Sequence, residues 1–327
     1  MKLLSLLQSA IVYGTILLYG AMGEILTQKS GNLNLGVPGL MSLGAVGGFI
    51  SARWYEVLYC QAVGVDPNAF LCIIVALLGA VIFAALGGLL YAFLTITLRA
   101  NQNVTGLTLT IFGCGFANFF GSNILQKHGG VGSLSLSKTS QAFRAVIPGL
   151  ESVSVLSALG WLVYFSLILA FFLQWLLSKS RTGLNLRAVG ENPATADAAG
   201  ISVTRYKYIA TTCGAAISGL GGLYYFVDYT KAAWTTDGTL EALGWLAVAL
   251  VIFATWKPAR AIWASYLFGM LSWLYFYISG LTRSSQEIFK MIPYAVTILV
   301  LVFVSLRRSK ESQPPASLGR SYFREDR

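Results

Sequence analysis

Few residues in this sequence have the types and spacing that chemistry needs. Its single histidine, His128, adjoins Lys127 and has no sequence neighbour that would make it a base or a ligand. The four cysteines, Cys60, Cys72, Cys114 and Cys213, lack paired spacing and histidine neighbours, which argues against a disulfide framework and against a metal site. No Gly-x-x-x-x-Gly-Lys-Ser/Thr loop occurs, so the chain has no usual means of holding ATP. Gly129-Gly-Val-Gly132 reads as a turn, not a dinucleotide loop, because no strand precedes it. A membrane enzyme would carry several His, Asp or Glu side chains at helical spacing within its spans, and almost none occur. The chain reads as a non-enzyme that binds no cofactor and no metal.

The feature that does stand out is the polar stretch 181–201 in an otherwise apolar chain. Asn192 suits a helix cap, Pro193 the first helical position and Gly200 the left-handed residue past the end. Between them Ala194, Ala196, Ala198 and Ala199 favour helix while adding little bulk. Such a short helix reads either as a knob for another protein's groove or as an ordinary capped loop helix.

Three motifs carry a resemblance. Arg187-Ala-Val-Gly-Glu-Asn-Pro-Ala-x-Ala-x-x-Ala-Gly-Ile201 resembles the cytoplasmic coupling loop of ABC-importer permeases of the ribose, nucleoside and branched-chain amino acid class. Gly31-x-x-Asn34-Leu-Gly36-x-x-Gly39-x-Met41 is similar to that family's amino-terminal signature. Gly244-Trp-Leu-Ala-x-Ala-Leu-Val-Ile-Phe253, followed by Lys257-Pro258, resembles a third family stretch. One departure concerns the solute: Val37-Pro38 stands where the family pattern has a hydrophobic residue and a glutamate. The resemblance implies a transport subunit whose coupling residues are Glu191, Asn192, Pro193, Ala194, Ala196, Ala199 and Gly200. It also implies separate ABC ATPase subunits that use ATP and magnesium, a second permease chain (the same or different) and an extracytoplasmic solute-binding protein.

Composition sets the class. With 56% hydrophobic residues, 11% charged and a mean hydropathy of +0.67, this is not a soluble domain. The net charge of +10 sits in loops and the tail rather than in one patch, so a lipid bilayer explains it better than nucleic acid does. Apolar runs at 6–25, 35–50, 70–98, 104–125, 155–177, 206–227, 240–256, 261–279 and 292–306 predict an all-α polytopic bundle of about nine transmembrane helices. The run at 35–50 is short and glycine-rich, the pattern of a broken or re-entrant helix. The segment 126–151 reads as an outside loop with a short helix near 140–147. We divide the chain into a permease domain, 1–306, with its coupling loop at 178–205, and a basic tail, 307–327, expected without fixed structure.

The basic residues of the central loop and tail place both on the cytoplasmic side of a bacterial inner membrane, and an odd span count then puts the amino terminus outside. Residues 84–93 echo 218–226, and 106–112 echo 244–253, which suggests an inverted repeat. Candidate residues along a solute path are Asn34, Thr110, Asn118, Tyr224, Glu241 and Trp245. Aromatics could cover a base or sugar, and Asn or Glu could bond hydroxyls. The same residues also suit helix-to-helix bonds and interfacial belts. The function expected is an ABC-importer permease for a nucleoside or pentose-type solute. The alternatives are the same machine for a simple sugar or branched-chain amino acid, or an ion-coupled secondary transporter, which would want more buried ionisable groups. The orientation is checked by labelling: a cysteine at Thr195 should react only from the cytoplasmic side and one at Ser137 only from outside.

Overall fold

The chain is all helix among its described residues, and a computed structural model describes residues 2–127, 136–144, 159–278, 280, 282–307 and 313–323. The first helix, α1 (Lys2–Lys29), is followed by α2 (Val37–Arg53), a π-helical turn (Trp54–Tyr59) and the short α3 (Cys60–Val63). Next come α4 (Ala69–Ala92), a second π turn (Phe93–Thr97), α5 (Gln102–Gln126) and the short α6 (Ser137–Phe143). After α7 (Trp161–Lys179) the polar loop forms α8 (Arg181–Glu191) and α9 (Pro193–Ala198). The chain then runs through α10 (Val203–Tyr224), a third π turn (Tyr225–Tyr229), α11 (Thr239–Phe253), α12 (Pro258–Tyr277), α13 (Arg283–Lys290) and α14 (Ile292–Arg307).

Four stretches are long and apolar enough to cross a membrane alone: Leu3–Lys29, Ala69–Thr97, Gln102–Gln126 and Trp161–Lys179. The other long helices, α2, α10, α11, α12 and α14, are shorter or more polar and pack in the same bundle. Exposed apolar side chains such as Ile111, Trp263 and Leu299 coat the outside, as lipid contact requires. The polytopic helical class expected from composition is what the chain adopts.

Glycine sets the packing at the centre, where α10 lies against α1, α2 and α4. Gly44 of α2 meets the backbone of Gly219, and Gly222 meets the carbonyl of Met41 so closely that no Cβ would fit at either. Small residues that let backbones approach are the usual contact between helices in lipid, where burial of apolar surface gains little. The echoed segments lie on opposed helices: Gly88 packs on Ala215 and Gly219 on Ala84, so α4 and α10 are antiparallel. Each of these two helices also runs into a π turn.

The run at 35–50 does not begin as a helix. Residues 31–36 run as irregular, non-helical backbone alongside the end of α1, so that Val37 reaches the level of Gly20. Helix α2 therefore starts about 13 Å inside the bundle. This buried backbone is satisfied by side chains. The Glu24 carboxylate accepts from Asn34 N at 3.1 Å, Gln102 Oε1 from Leu33 N at 2.7 Å, and the Leu33 carbonyl accepts from the Tyr91 hydroxyl at 2.6 Å. Thr110 Oγ1 donates to the Leu35 carbonyl at 2.9 Å. Irregular backbone is tolerated in a membrane bundle only under such cover.

Two expectations change. The helix expected near 140–147 starts earlier, at Ser137, because the Glu56 carboxylate accepts from the backbone N–H groups of Lys138 and Thr139 at 3.1 and 2.9 Å. Residues 145–147, His128 and the glycine turn at 129–132 lie outside the described residues. The tail is not wholly unstructured either: its residues 313–323 pack against the polar loop, held by hydrogen bonds given below.

Gly222→Leu should force α2 and α10 apart and lower the unfolding midpoint of the purified chain, a cost of about 1–3 kcal/mol or more. Gly115→Leu, whose Cβ would meet nothing within 4 Å, should leave that midpoint unchanged. A thermal unfolding series in detergent compares the two.

Candidate coupling loop and solute path

The polar loop is built as its punctuation implies. Ser180 caps α8 by accepting from Gly183 N at 3.0 Å, and Gly183 lets the turn close onto the Leu176 carbonyl. Asn192 Oδ1 accepts from Thr195 N at 3.1 Å, and Pro193 follows in the first turn of α9. At the other end Gly200, with φ +82°, donates to the Asp197 carbonyl, and Ile201 N donates to the Ala196 carbonyl at 3.0 Å. That pair of bonds is a Schellman stop, and it uses the left-handed glycine anticipated from sequence.

The helix face is a different matter. Ala196 is only 3% exposed and packs with Val189 and Val203, covered by Ile201, Tyr206 and Tyr322. It therefore seats α9 on the protein and does not present a small outward face, as the sequence reading had it do. Glu191, Asn192, Ala194, Thr195, Ala198, Ala199 and Gly200 are exposed, and Pro193 is partly so. Glu191 Oε2 accepts from Ala316 N at 3.3 Å, and Asp197 Oδ2 from the Tyr322 hydroxyl at 3.0 Å, so the tail ties down the acidic residues of the loop.

The loop is also joined to the bundle through main-chain atoms. Gly190 packs on the Lys29 carbonyl with no space for a Cβ. Its own carbonyl accepts from Ser317 N at 3.1 Å and from Ser317 Oγ at 2.5 Å, while Gly319 N donates to the Gly31 carbonyl at 3.1 Å. Asn185 Nδ2 donates to the Tyr206 hydroxyl at 2.9 Å, tying α8 to α10. These contacts join the loop to the end of α1 and the start of α10.

At the opposite end of the bundle, Asn118 and Glu241 meet at a cavity of about 40 Å³, together with Ser42, Cys114, Tyr225 and Trp234. Both are exposed at its rim. The cavity holds about one water molecule, so the chain alone encloses no solute-sized room there. Trp234 closes it: the indole stacks on Phe49 at 5.2 Å between centroids and abuts Gly121. Lys231 and Ala232, with φ of 54° and 58°, reverse the chain so that Trp234 enters. Composition alone marks neither Trp234 nor Ser42; only two adjacent non-glycine residues in the left-handed region reveal the turn, and a sequence does not print them.

The other candidates lie elsewhere. Asn34 Oδ1 accepts from Gly36 N at 2.8 Å and its backbone bonds Glu24, so Asn34 shapes the irregular segment. Thr110 is spent on the Leu35 carbonyl. Tyr224 is fully buried beside Tyr19, inside the core. Trp245, 36% exposed, faces outward from α11 on the same side as Glu241. Pro38 packs on Gly244, so no acidic group reaches out from the position where the resembled pattern has glutamate.

The comparisons decide the family. A family model described as "Branched-chain amino acid transport system / permease component" matches residues 6–301. The chain belongs to this permease family. The "Putative glucose ABC transporter permease protein" of Haloferax volcanii is 30% identical, with 98% of each chain covered. The guanosine ABC transporter permease protein of Bacillus subtilis is 31% identical over 92% of each, and the nucleoside ABC transporter permease protein of Lactococcus lactis subsp. cremoris is 28% identical over 89% of each. No solved structure matches. This permease is thus a multi-pass membrane subunit of the ABC-transporter type.

Ala196→Trp in this permease should disrupt the seat of α9, costing about 1–3 kcal/mol or more by overpacking. Asn192→Ala should cost about 1 kcal/mol through the lost cap. Hydrogen exchange across residues 190–205 should rise in both, with the larger rise in Ala196→Trp.

Proposed function

We propose that this permease imports a nucleoside or a related pentose-type solute, driven by separate ATPase subunits that dock on the exposed side of α9. The observation that carries the reading is the loop itself. A short helix offers Ala194, Thr195 and Ala198 outward while Ala196 seats its inward face on Val189 and Val203, Asn192 caps it, and the tail holds Glu191 and Asp197. A rigid, small-faced projection transmits a push; a loosely held one would absorb it. The names of the relatives support nucleosides and sugars as the solute class. The chain itself holds no cofactor in this scheme, and ATP with magnesium belongs to the partner.

The solute path would run along the face where α5 presents Thr108 and Asn118 and α11 presents Glu241 and Trp245, all exposed. A second permease chain closes that face, and an external binding protein delivers solute at the end carrying α6. On this reading residues 178–205 and the tail lie on the cytoplasmic side of the inner membrane. Asn118 and Glu241 would bond hydroxyls and Trp245 would cover a sugar or base. A simple sugar is the second reading, favoured by the glucose name of the Haloferax relative.

Uptake by the assembled complex should follow ATP and survive collapse of ion gradients. Transport by the purified chain alone, driven by an ion gradient, would overturn the reading. Ala198→Trp should leave the unfolding midpoint unchanged, since Trp costs a helix well under ~1 kcal/mol at an exposed site. It should abolish the link between ATP hydrolysis and uptake, and normal coupled uptake would remove α9 from its proposed role.

A further inference from the structure

A second cavity, of about 290 Å³, lies at the coupling-loop end, between the ends of α4 and α10, the loop and the tail. Most of its wall is polar, and its charges are unusual. Lys207 lines it while being only 3% exposed, and among the described residues its ammonium has no hydrogen bond and no ion pair. A buried cation without a counter-charge is costly unless something supplies one. Arg99 lines the same space from just beyond the second π turn, with φ of 58°, and its guanidinium lies 4.4 Å from the centre of the Phe323 ring.

Helix polarity acts in the same sense. The 22-residue α10 begins at this wall, and Ser202, its capping residue, makes no side-chain bond to the first turn. The leading N–H groups of a helix have no partner within it and carry partial positive charge. Asp197 is the one carboxylate on the wall, and its Oδ2 already accepts from Tyr322. Two cations and a helix amino terminus thus face a polar cavity, from α10 and from the segment that joins α4 to α5.

We propose that this cavity binds a phosphate-class oxyanion, with Lys207 and the first turn of α10 as its main partners and Arg99 at its mouth. Ser321 and Tyr322 form part of the wall, so occupancy fixes the tail across α9. The group is supplied either by a free phosphate compound or by the headgroup of an anionic phospholipid. The site lies apart from Asn118 and Glu241, and binding there is independent of which solute the permease carries.

The test uses the full chain in nanodiscs of phosphatidylcholine, titrated with inorganic phosphate against chloride at equal ionic strength. Phosphate should raise the unfolding midpoint and slow hydrogen exchange in residues 313–323. Lys207→Met should bind phosphate at least about tenfold more weakly, the loss of one charge-assisted contact, without loss of basal stability. Arg99→Gln should weaken phosphate binding in the same direction, read from the phosphate-dependent shift in midpoint and not from basal tail protection, because Arg99 also contacts Phe323. In discs containing phosphatidylglycerol without added phosphate, the same Lys207-dependent protection would identify the lipid as the source; protection only on phosphate addition would identify a free compound. Equal effects of chloride and phosphate, or a wild-type response in both variants, would overturn the proposal, as would no response to phosphate or to phosphatidylglycerol.

Discussion

The structure rests on one constraint: peptide groups away from water must find partners, and residues 31–36 run as irregular backbone inside the bundle. Four side chains meet that need, one from α1, one from α4 and two from α5. Each is placed by its own helix, so satisfying a short piece of backbone also fixes the relative heights of three helices. The start of α2 follows from this, and so does its short length. The deep entry of α2 then brings Gly39, Gly44 and Gly48 level with the small residues of α5, α10 and α4, where backbones can close on each other.

The same segment connects the bundle's interior to the polar loop. Its first glycine bonds the tail, the tail bonds Gly190, and Gly190 rests on the last turn of α1. The coupling loop, the amino-terminal signature and the tail therefore form one joint, although they lie far apart in sequence. On the proposed function, a push on α9 would enter the bundle where its backbone is least regular, which is also where a change of helix height costs fewest intrahelical hydrogen bonds.

Much of this was legible in the residues, and what was hidden was hidden for definite reasons. Asn192, Pro193 and Gly200 announce the loop helix because capping is local chemistry, settled within a few residues. The glycine-rich run at 35–50 suggests a broken helix, but its glycines serve close packing: α2 is unbroken from Val37 to Arg53, and the irregular backbone lies before it. The inward turn of Ala196 was not readable, since a six-residue helix of alanines has no hydrophobic side to declare. Two roles stayed open for Thr110 for a related reason: a hydroxyl on a span suits a path and a helix-to-helix bond equally, and only the position of Leu35 shows which backbone group it bonds. The tail looks unstructured by composition, but composition weighs side chains, and this tail is held chiefly through its main chain.

That last feature bears on how such proteins diverge. Contacts made through peptide N–H and C=O groups do not register which side chains are attached, so selection acting on the joint sees chain length and the few glycines that permit close approach. Gly31 and Gly190 are constrained by it; Pro314, Ala316 and Arg320 are far less so. Over time the tail's letters can drift while its path stays fixed, and two relatives could share this clasp with little in their aligned tails to betray it.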